Sequence, residues 1–182
     1  MSSTSSTACS PPKSPRPVPI RTAAASELDE IYRMGFDAWG EGRTLEGYLA
    51  ACRAAPKYSA GAWWVGAGED GRLDSSLLAH EIALPFGAPA VGLGSIAAPP
   101  ELRGRGHATR LIAEVIRLRE KSAGTAVFFL FSDIVPAFYE RFGFSALHPC
   151  PKKPSSILMV RAARETLAAF IAHPEFKSPD YF

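Results

Sequence analysis

The chain has 182 residues, 47% of them hydrophobic, and a formal net charge of +2. Such a length and apolar content can bury one sizeable core, so a single domain is expected. Lys13 and Arg16 are the only charges before Arg21, so the sequence beyond residue 17 is formally neutral, which argues against general nucleic-acid binding.

Cys9, Cys52 and Cys150 are odd in number, far apart and lack C-x-x-C pairing, which predicts neither a disulfide framework nor a zinc site. Ordinary thiols in a reduced, cytoplasmic setting fit, and no metal is expected. Residues 1–17, dominated by Ser, Thr and Pro, read as a disordered tail ahead of a domain covering 18–182. The tail has no secretory core. Its acid-poor, Ser-rich composition leaves mitochondrial targeting as the weaker alternative, opposed by its prolines.

Along the domain, Ile20 and Arg21 end a first short strand. Ser26 is placed to cap a helix whose apolar side carries Leu28, Ile31, Tyr32, Met34 and Phe36. Gly35, Gly40 and Gly42 break regularity before a second helix from Leu45 to Ala55, which stops ahead of Pro56. Ala62 to Val65, with Trp63 and Trp64, has the composition of a strand; the turn Gly68-Glu69-Asp70-Gly71 follows, and Arg72 to Leu84 returns. From Ile82 to Pro100 there is no charged residue, yet Pro85, Gly87, Pro89, Gly92, Gly94 and Pro99 oppose a membrane-spanning helix and predict strand, turn, strand.

The second of these strands, Val91 to Ala98, is ended by Pro99 and Pro100, and Gly94 within it predicts a bulge or a close backbone approach. Beyond it Ala108, Leu111, Ile112, Val115 and Ile116 recur at helical spacing. A strand therefore feeds Arg103-Gly104-Arg105-Gly106-His107-Ala108 and then a helix. The first amides of a helix lack intrahelical partners, and the macrodipole adds roughly half a positive charge there. Gly104 and Gly106 let an anion approach the backbone, and Arg103 and Arg105 add charge beside it. From Arg103 to Lys121 six basic residues stand against Glu114 and Glu120, so phosphate is the expected guest. His107 reads equally as a further donor or as a packing residue. The spacing matches neither G-x-x-x-x-G-K-[ST] nor G-x-G-x-x-G.

Arg103 to Ala108 does fit R/Q-x-x-G-x-G/A, and in this position it resembles a signature of the GNAT superfamily of acyl-CoA-dependent N-acyltransferases. Downstream, the buried strand Ala126 to Phe131, then Pro136-Ala137-Phe138-Tyr139-Glu140, then Gly143-Phe144 resemble the second GNAT signature of strand, short helix and strand. The resemblance covers residues 92–144. It implies an α/β fold of the α+β type: a single GNAT-like domain whose mixed, mainly antiparallel twisted sheet is flanked by helices, here with a C-terminal helical extension.

The same resemblance implies transfer of an acetyl or other acyl group from acetyl-CoA, as cosubstrate, to a primary amine by direct attack in a ternary complex. It places the pyrophosphate on Arg103, Gly104, Arg105, Gly106, His107, Ala108 and Thr109, and the pantetheine arm along Ser95, Ile96 and Ala97. Tyr139 becomes the general acid for the departing thiolate, a role suited to a phenol whose ordinary pKa is near 10. The alternative packs its ring beside Phe138 and Phe142. By resemblance Phe36, Asp37, Trp39 and Glu41 border the acceptor groove, while from the residues alone the acids read as solvated loop charges. No base is singled out among His80, Glu81 and Asp133.

His148 to Ser156, with three prolines and Lys152-Lys153, reads as an exposed loop, followed by a final strand Ile157 to Val160 and a helix Arg164 to Ala172. The ending Pro174 to Phe182 leaves open packing on the core, reaching the site, or contact with another subunit, a homodimer included. The partners expected are acetyl-CoA and an amine, with neither nucleic acid nor membrane. The rival reading is a non-catalytic acyl-CoA-binding sensor or protein-interaction module.

Overall fold

Val127 to Leu130 is apolar at every position because the sheet it joins is covered on both faces. The computed structural model describes residues 20–68, 70–84, 87, 89–173 and 179, the side chain of Phe170 excepted. The reading of residues 1–17 as a tail lies outside them, as does that of the 174–182 ending apart from Pro179. The strands are β1 (Ile20–Thr22), β2 (Ala62–Ala67), β3 (Leu73–Ile82), β4 (Ala90–Ala97), β5 (Val127–Ser132), β6 (Ser145–Cys150) and β7 (Lys153–Ala162). The helices are α1 (Leu28–Arg33), α2 (Phe36–Trp39), α3 (Leu45–Ala54), α4 (Pro56–Ser59), α5 (His107–Ala123), α6 (Ala137–Glu140) and α7 (Arg164–Ala172).

One sheet of seven strands runs in the order β1-β2-β3-β4-β5-β7-β6. Among the described residues only β4 and β5 pair in parallel, and the other five pairings are antiparallel. A parallel neighbour needs a crossover, and α5 supplies it. Its Leu111, Ile112, Val115 and Ile116 are buried against Leu77, Val91, Leu93, Phe128 and Leu130, each side chain worth on the order of 2 kcal/mol. The helix stops at Gly124, whose φ of 60° is in the left-handed region. In a second cluster Ile31, Tyr32, Met34, Tyr48, Leu49 and Cys52 pack on Trp63, Val65, Leu73 and Leu78. Val127 and Phe129 point into a third cluster with Leu158 and Val160, against which Leu167 of α7 rests. Among the described residues no helix is long and apolar enough to cross a membrane.

Several expected boundaries move. Ser26 caps nothing; it lies in a 3-10 turn, Ala25–Glu27, and the Glu27 carboxylate accepts the Ala24 amide at 2.7 Å in its place. The first helix breaks into α1 and α2 at Gly35, where a Cβ would lie 2.1 Å from the Trp39 ring, so glycine is what lets that indole fold back. Thr44 caps α3 by accepting the Gly47 amide, and Pro56 opens α4 after ending α3. The segment His148 to Ser156 is not a loop. It is a hairpin, with β6 reaching Cys150 and β7 starting at Lys153. The prolines fit because β6 is an edge strand with two register shifts.

Candidate active site

β4 and β5 stay paired only from Ala90↔Val127 to Leu93↔Leu130. Beyond that point β5 remains with β7 as far as Ser132, while β4 stays with β3 as far as Ala97, so the two parallel strands part. The divergence coincides with a bulge. Leu78 faces Gly94, but Ser76 faces Ala97, so β4 holds an extra residue over this stretch. The backbone takes up that residue at Ser95, whose φ of 47° is uncommon outside glycine. A cavity of about 1240 Å³ opens here, lined by Gly94 to Ala98 on one wall.

The turn 103–106 borders the cavity and leads into the N-terminus of α5. Gly104 and Gly106 have φ of 74° and 85°, and a Cβ at either would meet nothing within 4 Å. The glycines therefore serve conformation and leave open space over the backbone. No side chain caps α5, and its first turn holds no acid, so the amides of His107, Ala108 and Thr109 are available to an anion. Arg105 is exposed and does not line the cavity. Arg103 does, but its guanidinium grips Asp37 through two hydrogen bonds of 2.6 and 2.7 Å and also donates to the carbonyls of Met34 and Ala98. This fork ties the turn to α1 and α2.

Behind the turn, Asp74 of β3 is only 3% exposed. Its carboxylate accepts from Arg110 at 2.8 Å and from Ser75 at 2.8 Å, and lies 3.0 Å from His107 Nδ1. A buried charge needs such partners, and here they come from the first turns of α5. His107 lines the cavity while its Nδ1 faces Asp74.

Tyr139 on α6 is buried and lines the cavity. Phe138 meets its ring edge-on at 4.9 Å, and Phe144 approaches at 6.3 Å. Burial, and secondarily the Asp133 charge, pushes its phenol up to about 12. Its ring sits in the core beside Phe138, and the residue also borders the cavity. Of the candidate bases, Asp133 is held by Lys153 at 2.7 Å and by Ser156, and Glu81 is held by Arg119. His80 does not line the cavity, and burial lowers its pKa.

Residues 19–147 match the family model described as Acetyltransferase (GNAT) domain. The chain belongs to the GNAT acetyltransferase family. Solved structures agree on the fold. The GNAT family N-acetyltransferase YhbS of Escherichia coli, in complex with CoA, is 18% identical with a TM-score of 0.60, the match covering 79% of this chain and 80% of that one. A PaiA N-acetyltransferase of Thermoplasma acidophilum, in complex with coenzyme A, is 15% identical with a TM-score of 0.61, covering 81% and 99%. A probable N-acyltransferase of Enterococcus faecalis is 21% identical with a TM-score of 0.57, covering 70% of this chain but 32% of that longer one. No curated protein matches the chain.

Of the four acceptor-side residues suggested by resemblance to GNAT proteins, Trp39 and Glu41 line the cavity. Phe36 and Asp37 do not: Phe36 packs on Tyr48 at 5.4 Å, and Asp37 is engaged by Arg103. Sequence reading missed the wall formed by Tyr48, Cys52, Lys57 and Tyr58. Tyr48 and Cys52 lie one turn apart on α3, a spacing that signals a buried face without saying that the face borders a cavity. Burial raises both the Tyr48 phenol and the Cys52 thiol. Lys57 carried no sequence signal at all.

Proposed function

We propose that this chain is an N-acetyltransferase that passes an acetyl group from acetyl-CoA directly to a primary amine, with both held in the cleft at once. The observation that carries this reading is the parting of β4 from β5, which opens a cavity with uncapped α5 amides at its border and Tyr139 in its lining. The residues present fit the donor. Open space above Gly104 and Gly106 and the amides of residues 107–109 suit a pyrophosphate, and the β4 edge from Gly94 to Ala97, unpaired on its β5 side, offers peptide groups to a pantetheine arm.

Acetyl-CoA supplies an acyl group activated as a thioester. Holding an amine beside it provides much of the acceleration, since two bound reactants meet at high effective concentration. Tyr139 keeps a proton at its hydroxyl for the leaving sulfur. Because Asp133 and Glu81 are both held in ion pairs, deprotonation of the amine is assigned to water.

The test is calorimetric titration with acetyl-CoA and CoA, then thiol release across a panel of amines, comparing wild type with Tyr139→Phe. Turnover is expected to fall about a hundredfold in the variant, with acetyl-CoA affinity within about twofold, since the ring remains in place. Binding without turnover on any amine would favour the acyl-CoA sensor. Absence of binding would overturn the reading.

A further inference from the structure

We propose that the acceptor bears a carboxylate beside its amine, as an amino acid does, and that Lys57 selects it. This rests on the acetyltransferase reading above. Away from the turn 103–109 and from Arg141, whose guanidinium lies over the Phe138 ring, the charged side chains lining the cavity are Glu41, Arg43, Lys57, Asp133 and Lys153. Arg43 bonds Glu41 at 3.0 Å, and Lys153 bonds Asp133 at 2.7 Å. Among the described residues Lys57 has no ion pair. Its ammonium stands 5.0 Å from the Tyr58 ring centroid; burial lowers its pKa and the Lys153 charge adds to this, while Cys52 and the Asp133 carboxylate act against it.

Among the described residues the two pairs cancel, so Lys57 leaves this wall positive, and Arg141, likewise without an ion pair there, adds to the positive charge of the lining as a whole. A simple amine arrives as an ammonium ion and is repelled; a polyamine or a lysine-rich peptide is repelled more. An amino acid reverses the balance by giving its carboxylate to Lys57 while its amine remains free for transfer. A single ammonium matches a monoanion better than a dianionic phosphate, which would keep one charge uncompensated. Tyr48, Tyr58 and Trp39, on the same wall, offer aromatic surface to the acceptor's own side chain.

The experiment compares three pairs that differ by the carboxylate alone: L-phenylalanine with 2-phenylethylamine, L-methionine with 3-(methylthio)propylamine, and L-lysine with 1,5-diaminopentane. Binding of each is measured calorimetrically, with and without saturating CoA, and kcat/KM is measured with acetyl-CoA. In at least one pair the acid is expected to be preferred by about tenfold or more, the preference shrinking as salt rises. Lys57→Met should abolish the preference, Lys57→Arg should restore it, and Lys57→Glu should invert it toward the amine. No acid preference in any pair, or a preference that survives Lys57→Met, overturns the proposal. Binding of CoA itself reports separately on the acetyltransferase reading, so the two failures are distinguishable.

Discussion

Tyr139 is both a core residue and the proposed proton donor, and its pKa connects the two. Removal from water favours the neutral phenol, so its pKa rises to about 12 and the group stays protonated below that. kcat is therefore expected to rise with pH as the acceptor amine loses its proton and then to stay level to at least about pH 10. A fall centred between about pH 8 and 9 in a pH–rate profile would assign the proton to another group. Arg103 and Asp37 illustrate the same scale differently. The GNAT resemblance puts Arg103 at the pyrophosphate and Asp37 on the border of the acceptor groove, yet across 66 positions they bind each other. Both are nearly half exposed, so the pair is worth about 1 kcal/mol or less and is no barrier to rearrangement around a ligand.

Among the elements, β4 decides whether a cleft exists. Gly94 signalled an irregularity in the sequence, but the residue that takes the left-handed conformation is its neighbour Ser95. A β-branched side chain is poorly accommodated there, so Ser95→Val is expected to cost about 1–2 kcal/mol in urea denaturation and to weaken acetyl-CoA binding, while Ser95→Gly keeps both. Equal behaviour of the two variants would show that the bulge is not constrained at this residue. The β6 to β7 hairpin was illegible for a related reason. Prolines at 149, 151 and 154 remove backbone donors and mimic a loop, and only the neighbours of a strand reveal whether a missing donor was needed.

At the scale of the whole molecule, α5 is attached to the sheet by its apolar face and by Asp74. Arg110→Met would leave that buried carboxylate with Ser75 and His107 alone, an expected cost of about 2–3 kcal/mol. Removing the carboxylate as well, in Arg110→Met with Asp74→Ala, should recover at least about 1 kcal/mol, because no buried charge is then left short of partners. Denaturation midpoints of the two variants check this, and a double variant less stable than the single would sink it. The sequence by itself determined the order of strand, glycine turn and helix at residues 92–116, with the apolar face of that helix, and a buried strand read at 126–131, because hydrophobic period, glycine and proline act locally. Those were enough to identify the family and the fold. Tertiary structure alone decided which acids are already paired, and that Tyr48, Cys52, Lys57 and Tyr58 face the same cavity as Tyr139. Those facts depend on distances between segments remote in the chain, and neither periodicity nor composition carries them.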